Sequence, residues 1–134
     1  MLDRRHRLGL LRVSQCSVLF ILEESFPGKG SQALAQWCQD HLGIKLTPES
    51  YDEESWYQEA GATVFAPFVQ DTDYLDRAEQ QWMINLRGRD LDAMAEQLRA
   101  ANIHVSMDPE QYPNGRFARL HDPEGNPIEL WQPK

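Results

Sequence analysis

With 134 residues, the chain is long enough for one domain with a real core, or for two small fused modules. A content of 41% hydrophobic and 25% charged residues excludes collagen-like and broadly disordered classes. The formal charge of −8, from 13 Lys+Arg against 21 Asp+Glu, argues against a nucleic-acid partner, which needs a basic surface to release counterions. It leaves a neutral or cationic small molecule as the better-matched partner, although surplus acid commonly serves solubility alone.

Residues 1–16 form a basic arm carrying Arg4, Arg5, His6, Arg7 and Arg12, expected to be frayed. No small-residue cleavage site follows it, and the apolar run at 17–22 is far shorter than the roughly 20 residues of a membrane span, so a cytoplasmic protein is expected. Cys16 and Cys38 lack CxxC spacing and read as two buried thiols rather than a disulfide framework or a zinc knuckle.

A first module is expected over 17–69. Its opening strand has two registers: one runs through Glu23, and the other uses 18–22 as strand and 23–29 as loop. Ser31 then reads as an N-cap for a helix whose Ala33, Leu34, Trp37, Cys38 and Leu42 recur at helical spacing, closed by Gly43 in the left-handed conformation. Strands are expected at 44–47, 55–59 and 62–68, with Ala60-Gly61 as a turn. Residues 70–80 form a polar linker.

The second module, 81–134, repeats the pattern. Residues 82–88 alternate as a strand, with Ile84 and Leu86 on one face and Met83, Asn85 and Arg87 on the other. Asp90 caps a helix with apolar Leu91, Met94, Ala95, Leu98 and Ala101, and Asn102 stands where Gly43 stood. Strands follow at 103–107, 115–121 and 127–131, the last two joined by the turn Asp122-Pro123-Glu124-Gly125-Asn126. The fold class is therefore α+β: two tandem βαβββ modules in one compact domain, forming a curved, partly closed mixed sheet with a cleft on its concave face. Alternation on the last strand puts Ile128 and Leu130 on one face and Glu129 and Trp131 on the other. A carboxylate beside an indole marks either a wet rim or a lined cavity.

This organisation, with Gly115-Arg116-Phe117 and Asp122-Pro123-Glu124-Gly125-Asn126-Pro127-Ile128-Glu129-Leu130-Trp131, resembles the vicinal oxygen chelate superfamily of glyoxalases, bleomycin-resistance proteins and extradiol dioxygenases. The segments Ala33-Leu34-Ala35-Gln36-Trp37 and Asp40-His41-Leu42-Gly43-Ile44 are similar to its first-helix signature. Metal-dependent members bind one divalent ion with four side chains, two from each module. Carried over, the resemblance implies Glu129, Met83, Thr63 and Glu23 at those positions. Only Glu129 and Glu23 are suitable hard ligands, so no cofactor is firmly implied and a divalent metal is disfavoured by Thr63 and Met83. His41, in the last helical turn, suits the helix dipole; His104 starts a strand; His121 lies at the rim.

The same faces give a cleft lining of Trp56, Thr63, Phe65, Met83, Asn85, Arg87 and Trp131, with Arg116 at the mouth or in solvent. These features favour a bleomycin-resistance-like protein that binds a cationic or aromatic small molecule without a complete metal site, as a homodimer. The alternatives are a metal-dependent lyase or dioxygenase using Glu129 and Glu23, and a ligand-free structural dimer.

Overall fold

The computed structural model describes the backbone of residues 15–17 and the whole of residues 30–134. Seven elements occur among them: β1 (Gln15–Ser17), α1 (Ser31–Leu42), β2 (Ile84–Arg87), α2 (Leu91–Ala100), β3 (Ser106–Met107), β4 (Arg116–His121) and β5 (Pro127–Gln132). The strands form one open mixed sheet in the order β1-β2-β5-β4-β3. Only β2 and β5 run parallel, and their connection carries α2; the other neighbours are antiparallel. Residues 84–132 thus make one βαβββ unit in which the last strand returns beside the first.

The turn at Asp122 fixes the register of this unit. Its Oδ1 accepts from the backbone N–H of Glu124 and of Asn126, both at 2.9 Å, and Oδ2 accepts from Asn126 Nδ2 at 2.8 Å. Gly125 supplies the positive φ of 84° that the turn requires. With the turn pinned, Phe117 pairs with Trp131, Arg119 with Glu129 and His121 with Pro127.

The periodicity of α2 holds at four of its five expected apolar positions, the fifth, Ala101, being the exposed residue that follows the helix. Leu91, Met94, Ala95 and Leu98 are buried against Leu86, Ala118, Leu120, Ile128 and Leu130 on one sheet face. Asp90 caps the helix by accepting from the Ala93 N–H at 3.0 Å, and Asn102 takes the left-handed conformation at φ 62°. Leu42, Trp37 and Ile44 add α1 and its exit to the same core. Among the described residues, no helix is long and apolar enough to cross a membrane.

Three expectations need correction. Ser31 is the first helical residue, not the cap; Gly30 precedes it with no side-chain bond, and its N–H instead donates to Glu124 Oε1 at 3.3 Å. Gln15 and Cys16, assigned to a frayed arm, pair with Arg87 and Leu86 in β1; the alternative strand at 18–22, and Glu23, lie outside the described residues. The strands expected at 44–47, 55–59 and 62–68 are irregular backbone. A strand needs a neighbouring edge for its N–H and C=O groups, and none of the described strands offers one there. Val64, Phe65, Phe68 and Val69 consequently stand 62%, 56%, 47% and 72% exposed.

Candidate functional site

The sheet face opposite α2 is built in rows by the strand register. Asn85, Glu129 and Arg119 lie side by side across β2, β5 and β4, and Arg87, Trp131 and Phe117 form the next row. Glu129, Arg87 and Trp131 are all buried. A carboxylate in such a place survives only with partners.

Glu129 has them. Its Oε1 accepts from Asn85 Nδ2 at 2.7 Å, and its Oε2 accepts from the Tyr74 hydroxyl at 2.5 Å. The Arg119 guanidinium stands 3.9 Å from Oε2 and adds charge compensation. Burial first, then the bond to Glu129, pushes the Tyr74 phenol up to about 12, against a lowering pull from Arg119. Tyr74 therefore remains a proton donor at any physiological pH. The Asn85 Oδ1, at the other end of the amide, is buried with no hydrogen-bond partner.

Tyr74 reaches Glu129 from the segment between α1 and β2. Thr72 Oγ1 accepts from the Tyr74 N–H at 3.2 Å, and Leu75 is buried, which anchors the segment. Asp76, at a positive φ of 70°, accepts from Arg119 Nη1 at 3.1 Å and bonds His121 Nε2 at 2.7 Å. The Arg119 guanidinium lies 4.5 Å from the centre of the Tyr74 ring, and Phe68 stacks on that ring at 5.1 Å. In the neighbouring row, Trp131 and Phe117 stack at 6.1 Å with planes 5° apart, and Tyr112 meets Phe117 edge-on. Trp131 Nε1 donates to the Asn114 carbonyl at 2.8 Å.

Of the residues singled out from sequence, the structure gathers Asn85, Arg87, Glu129 and Trp131. Met83 is half-buried just before β2; the residue paired with Glu129 across the parallel register is Asn85, because strand pairing and not distance from the helix cap decides which residues face each other. Trp56 packs against the core of the α2 side. Thr63 and Phe65 are exposed and stand on the irregular segment. Arg116 turns to the helix face and holds Asp92 of α2 with two bonds, at 2.8 and 2.9 Å; each group stabilises the other's charge, raising Arg116 and lowering Asp92. Glu23 lies outside the described residues.

Tyr74, Asp76, Phe117 and Arg119 were missed from sequence. Phe117 and Arg119 were within reach, since the Asp122 turn and the alternation of β4 place them opposite Trp131 and Glu129. Tyr74 and Asp76 sit in what reads as a polar linker, with no periodic signal to reveal them.

The surroundings of Glu129 do not fit a divalent ion. One carboxylate oxygen receives a phenol proton, the other an amide proton, and a guanidinium stands beside them, where an ion needs further oxygen or imidazole donors. Among the described residues, no group of three or more His, Cys, Asp or Glu side chains is placed to hold a metal. Burial, then the charge of Asp122, raises the half-buried Cys38 thiol to about 11, which disfavours its thiolate form.

A family model described as a glyoxalase-like domain matches residues 28–131. No curated protein matches the chain. Among solved structures, an antibiotic-binding protein from Streptomyces sp. CB03234 is 40% identical over 37% of this chain and 40% of its own, with a TM-score of 0.35. A glyoxalase/bleomycin resistance protein from the same organism is 40% identical over 36% and 41%, with a TM-score of 0.33. Methylmalonyl-CoA epimerase from Mycobacterium tuberculosis is 22% identical over 77% and 80%, with a TM-score of 0.40. The matched stretch spans about two-fifths of the length of the two Streptomyces proteins, at 40% and 41%. Matched over most of its length by the family model, and carrying the βαβββ unit and closing hairpin that first suggested it, the chain belongs to the glyoxalase-like domain family of the vicinal oxygen chelate superfamily.

Proposed function

We propose that the protein binds a small aromatic or cationic molecule on the sheet face opposite α2, without a metal ion. The observation that carries this is the state of Glu129: a buried carboxylate bonded by an amide and a phenol and flanked by a guanidinium, beside the stacked Phe117 and Trp131. Polar groups set among aromatic side chains are the composition of a small-molecule site. The buried Asn85 Oδ1 supports the same view, because a ligand hydrogen-bond donor would satisfy an acceptor that is otherwise costly to bury. The acidic balance of the chain favours cations, and one of the similar structures is described as an antibiotic-binding protein.

The two-module arrangement and the cleft belong to this proposal. Residues 44–69 hold the strand-forming side chains of a first module, and a homodimer gives their exposed Val64, Phe65, Phe68 and Val69 a surface to cover. Light scattering should then give twice the 15.5 kDa chain mass. A metal-dependent lyase or dioxygenase is the competing function, and elemental analysis of the purified protein separates the two. Stoichiometric divalent metal that is lost in Glu129→Gln would favour the enzyme.

Tryptophan fluorescence titrations with cationic and aromatic antibiotics, bleomycin included, test the binding itself. Saturable quenching by at least one compound is expected in the presence of a chelator. Unchanged emission with every compound would count against the proposal.

A further inference from the structure

We infer that the Tyr74 side chain occupies a subsite for a phenolic ring, and that a hydroxy-aromatic ligand binds there by displacing it. The inference rests on the small-molecule reading of this face and names the chemical class of the ligand.

Three contacts define the subsite. Glu129 Oε2 accepts the phenol proton at 2.5 Å, the Arg119 guanidinium lies 4.5 Å from the ring centre, and Phe68 stacks on the ring at 5.1 Å. Together they recognise a flat ring bearing a hydroxyl, Glu129 reading the hydroxyl and Arg119 and Phe68 the ring, and none depends on the ring being part of this chain. The acceptor is held from the sheet, by Asn85 on Oε1 and by the register of β5 with β4, so it stays when Tyr74 leaves. Arg119 is likewise placed from the sheet, opposite Glu129 in the register of β4 with β5. Tyr74, by contrast, is 40% exposed and sits in a turn-rich segment outside the sheet.

Ligand exchange moves no net charge, because one neutral phenol replaces another on the same carboxylate. The buried Asn85 Oδ1 offers an acceptor on the same row to a second donor on the ligand. A tethered competitor of this kind acts at an effective concentration of about a millimolar. A simple phenol therefore binds the native protein weakly, and removal of the competitor strengthens it by the reciprocal of the fraction of time the subsite stood open.

The test uses 4-methylphenol, with 4-methylanisole as a ring of the same kind that lacks the proton. Calorimetric titrations of the native chain and of Tyr74→Ala are compared, with circular dichroism to establish folding. Tyr74→Ala is expected to bind 4-methylphenol at least tenfold more tightly than the native chain does, and at least tenfold more tightly than 4-methylanisole. Equal affinity in the two proteins, or for the two compounds, would overturn the inference. Should Tyr74→Ala not fold, the native chain reports directly. Near-saturating 4-methylphenol is expected to shift the Tyr74 ring signals in the NMR spectrum, assigned by their loss in Tyr74→Phe, with 4-methylanisole inert, and unshifted signals overturn the inference. If antibiotics quench the native protein while both phenol tests fail, small-molecule binding stands and the phenol subsite falls. If no compound binds in any arm, the function itself falls.

Discussion

At the scale of single residues, the phenol of Tyr74 ties acid–base chemistry to stability. The folded chain raises its pKa from the ordinary 10.0 to about 12, so the native state holds a proton that the unfolded chain gives up earlier. The stability it contributes is complete below pH 10 and is lost as pH rises towards 12. An ultraviolet titration of tyrosinate should show two late groups, Tyr74 and the Asp108-bonded Tyr112, of which one disappears in Tyr74→Phe; no change in the titration would contradict the Glu129 bond. Gly115 makes a second residue-scale case. At φ 131° a Cβ there would lie 2.1 Å from the Gln132 carbonyl oxygen and 2.8 Å from Trp131 Nε1. Gly115→Ala is expected to cost more than the ~1 kcal/mol of an ordinary glycine replacement and to disturb Trp131 emission. Gly125→Ala, at φ 84° with only Arg77 Nη1 within reach at 3.9 Å, should cost about 1–2 kcal/mol by conformation alone. Urea unfolding of both variants checks the order. Glu129 and Trp131 were legible as site residues because alternation on a strand after a strong turn leaves no choice of face. Tyr74 was not, because its contact with Glu129 crosses from an aperiodic segment.

At the scale of elements, legibility followed local chemistry. Both helices ended where a left-handed residue stood ready, at Gly43 (φ 71°) and Asn102 (φ 62°), and Asp90 began α2 with the side-chain bond its identity promises. The strands expected at 115–121 and 127–131 were legible because turns and a shared apolar face agree. Those expected at 82–88 and 103–107 shorten to Ile84–Arg87 and Ser106–Met107, so that Ile103 and His104 start no strand. Those of the first half were not: 55–59 and 62–68 have β-prone residues, but β-propensity expresses itself only against a neighbour, and no described strand stands beside them. Two substitutions in α2 measure how the element is held. Leu98→Ala removes a side chain that is 1% exposed, and should cost about 2–5 kcal/mol. Asp90→Ala removes only the cap bond and should cost about 1 kcal/mol. Denaturant titrations that reversed this order would show that α2 is held by its capping more than by its apolar face.

For the whole molecule, the sheet divides the labour. One face carries the apolar core with α2 and the exit of α1, and this is where stability resides. The other carries buried charge and aromatic rings in register, at a cost in desolvation that only their mutual partners offset. The sequence placed Glu129 in a family where it commonly meets a metal, but its own neighbours satisfy it with Asn85, Tyr74 and Arg119. That is the reason for reading the chain as a binding protein. The most direct test is the unfolding temperature of chelator-treated protein, native and Glu129→Gln, against cationic and aromatic antibiotics. At a concentration of 100 Kd a ligand adds about 2.7 kcal/mol to the native state. The account predicts a rise of several degrees with at least one compound in chelator, reduced or lost in Glu129→Gln. A rise that appears only after divalent metal is restored, or that Glu129→Gln leaves untouched, would contradict it.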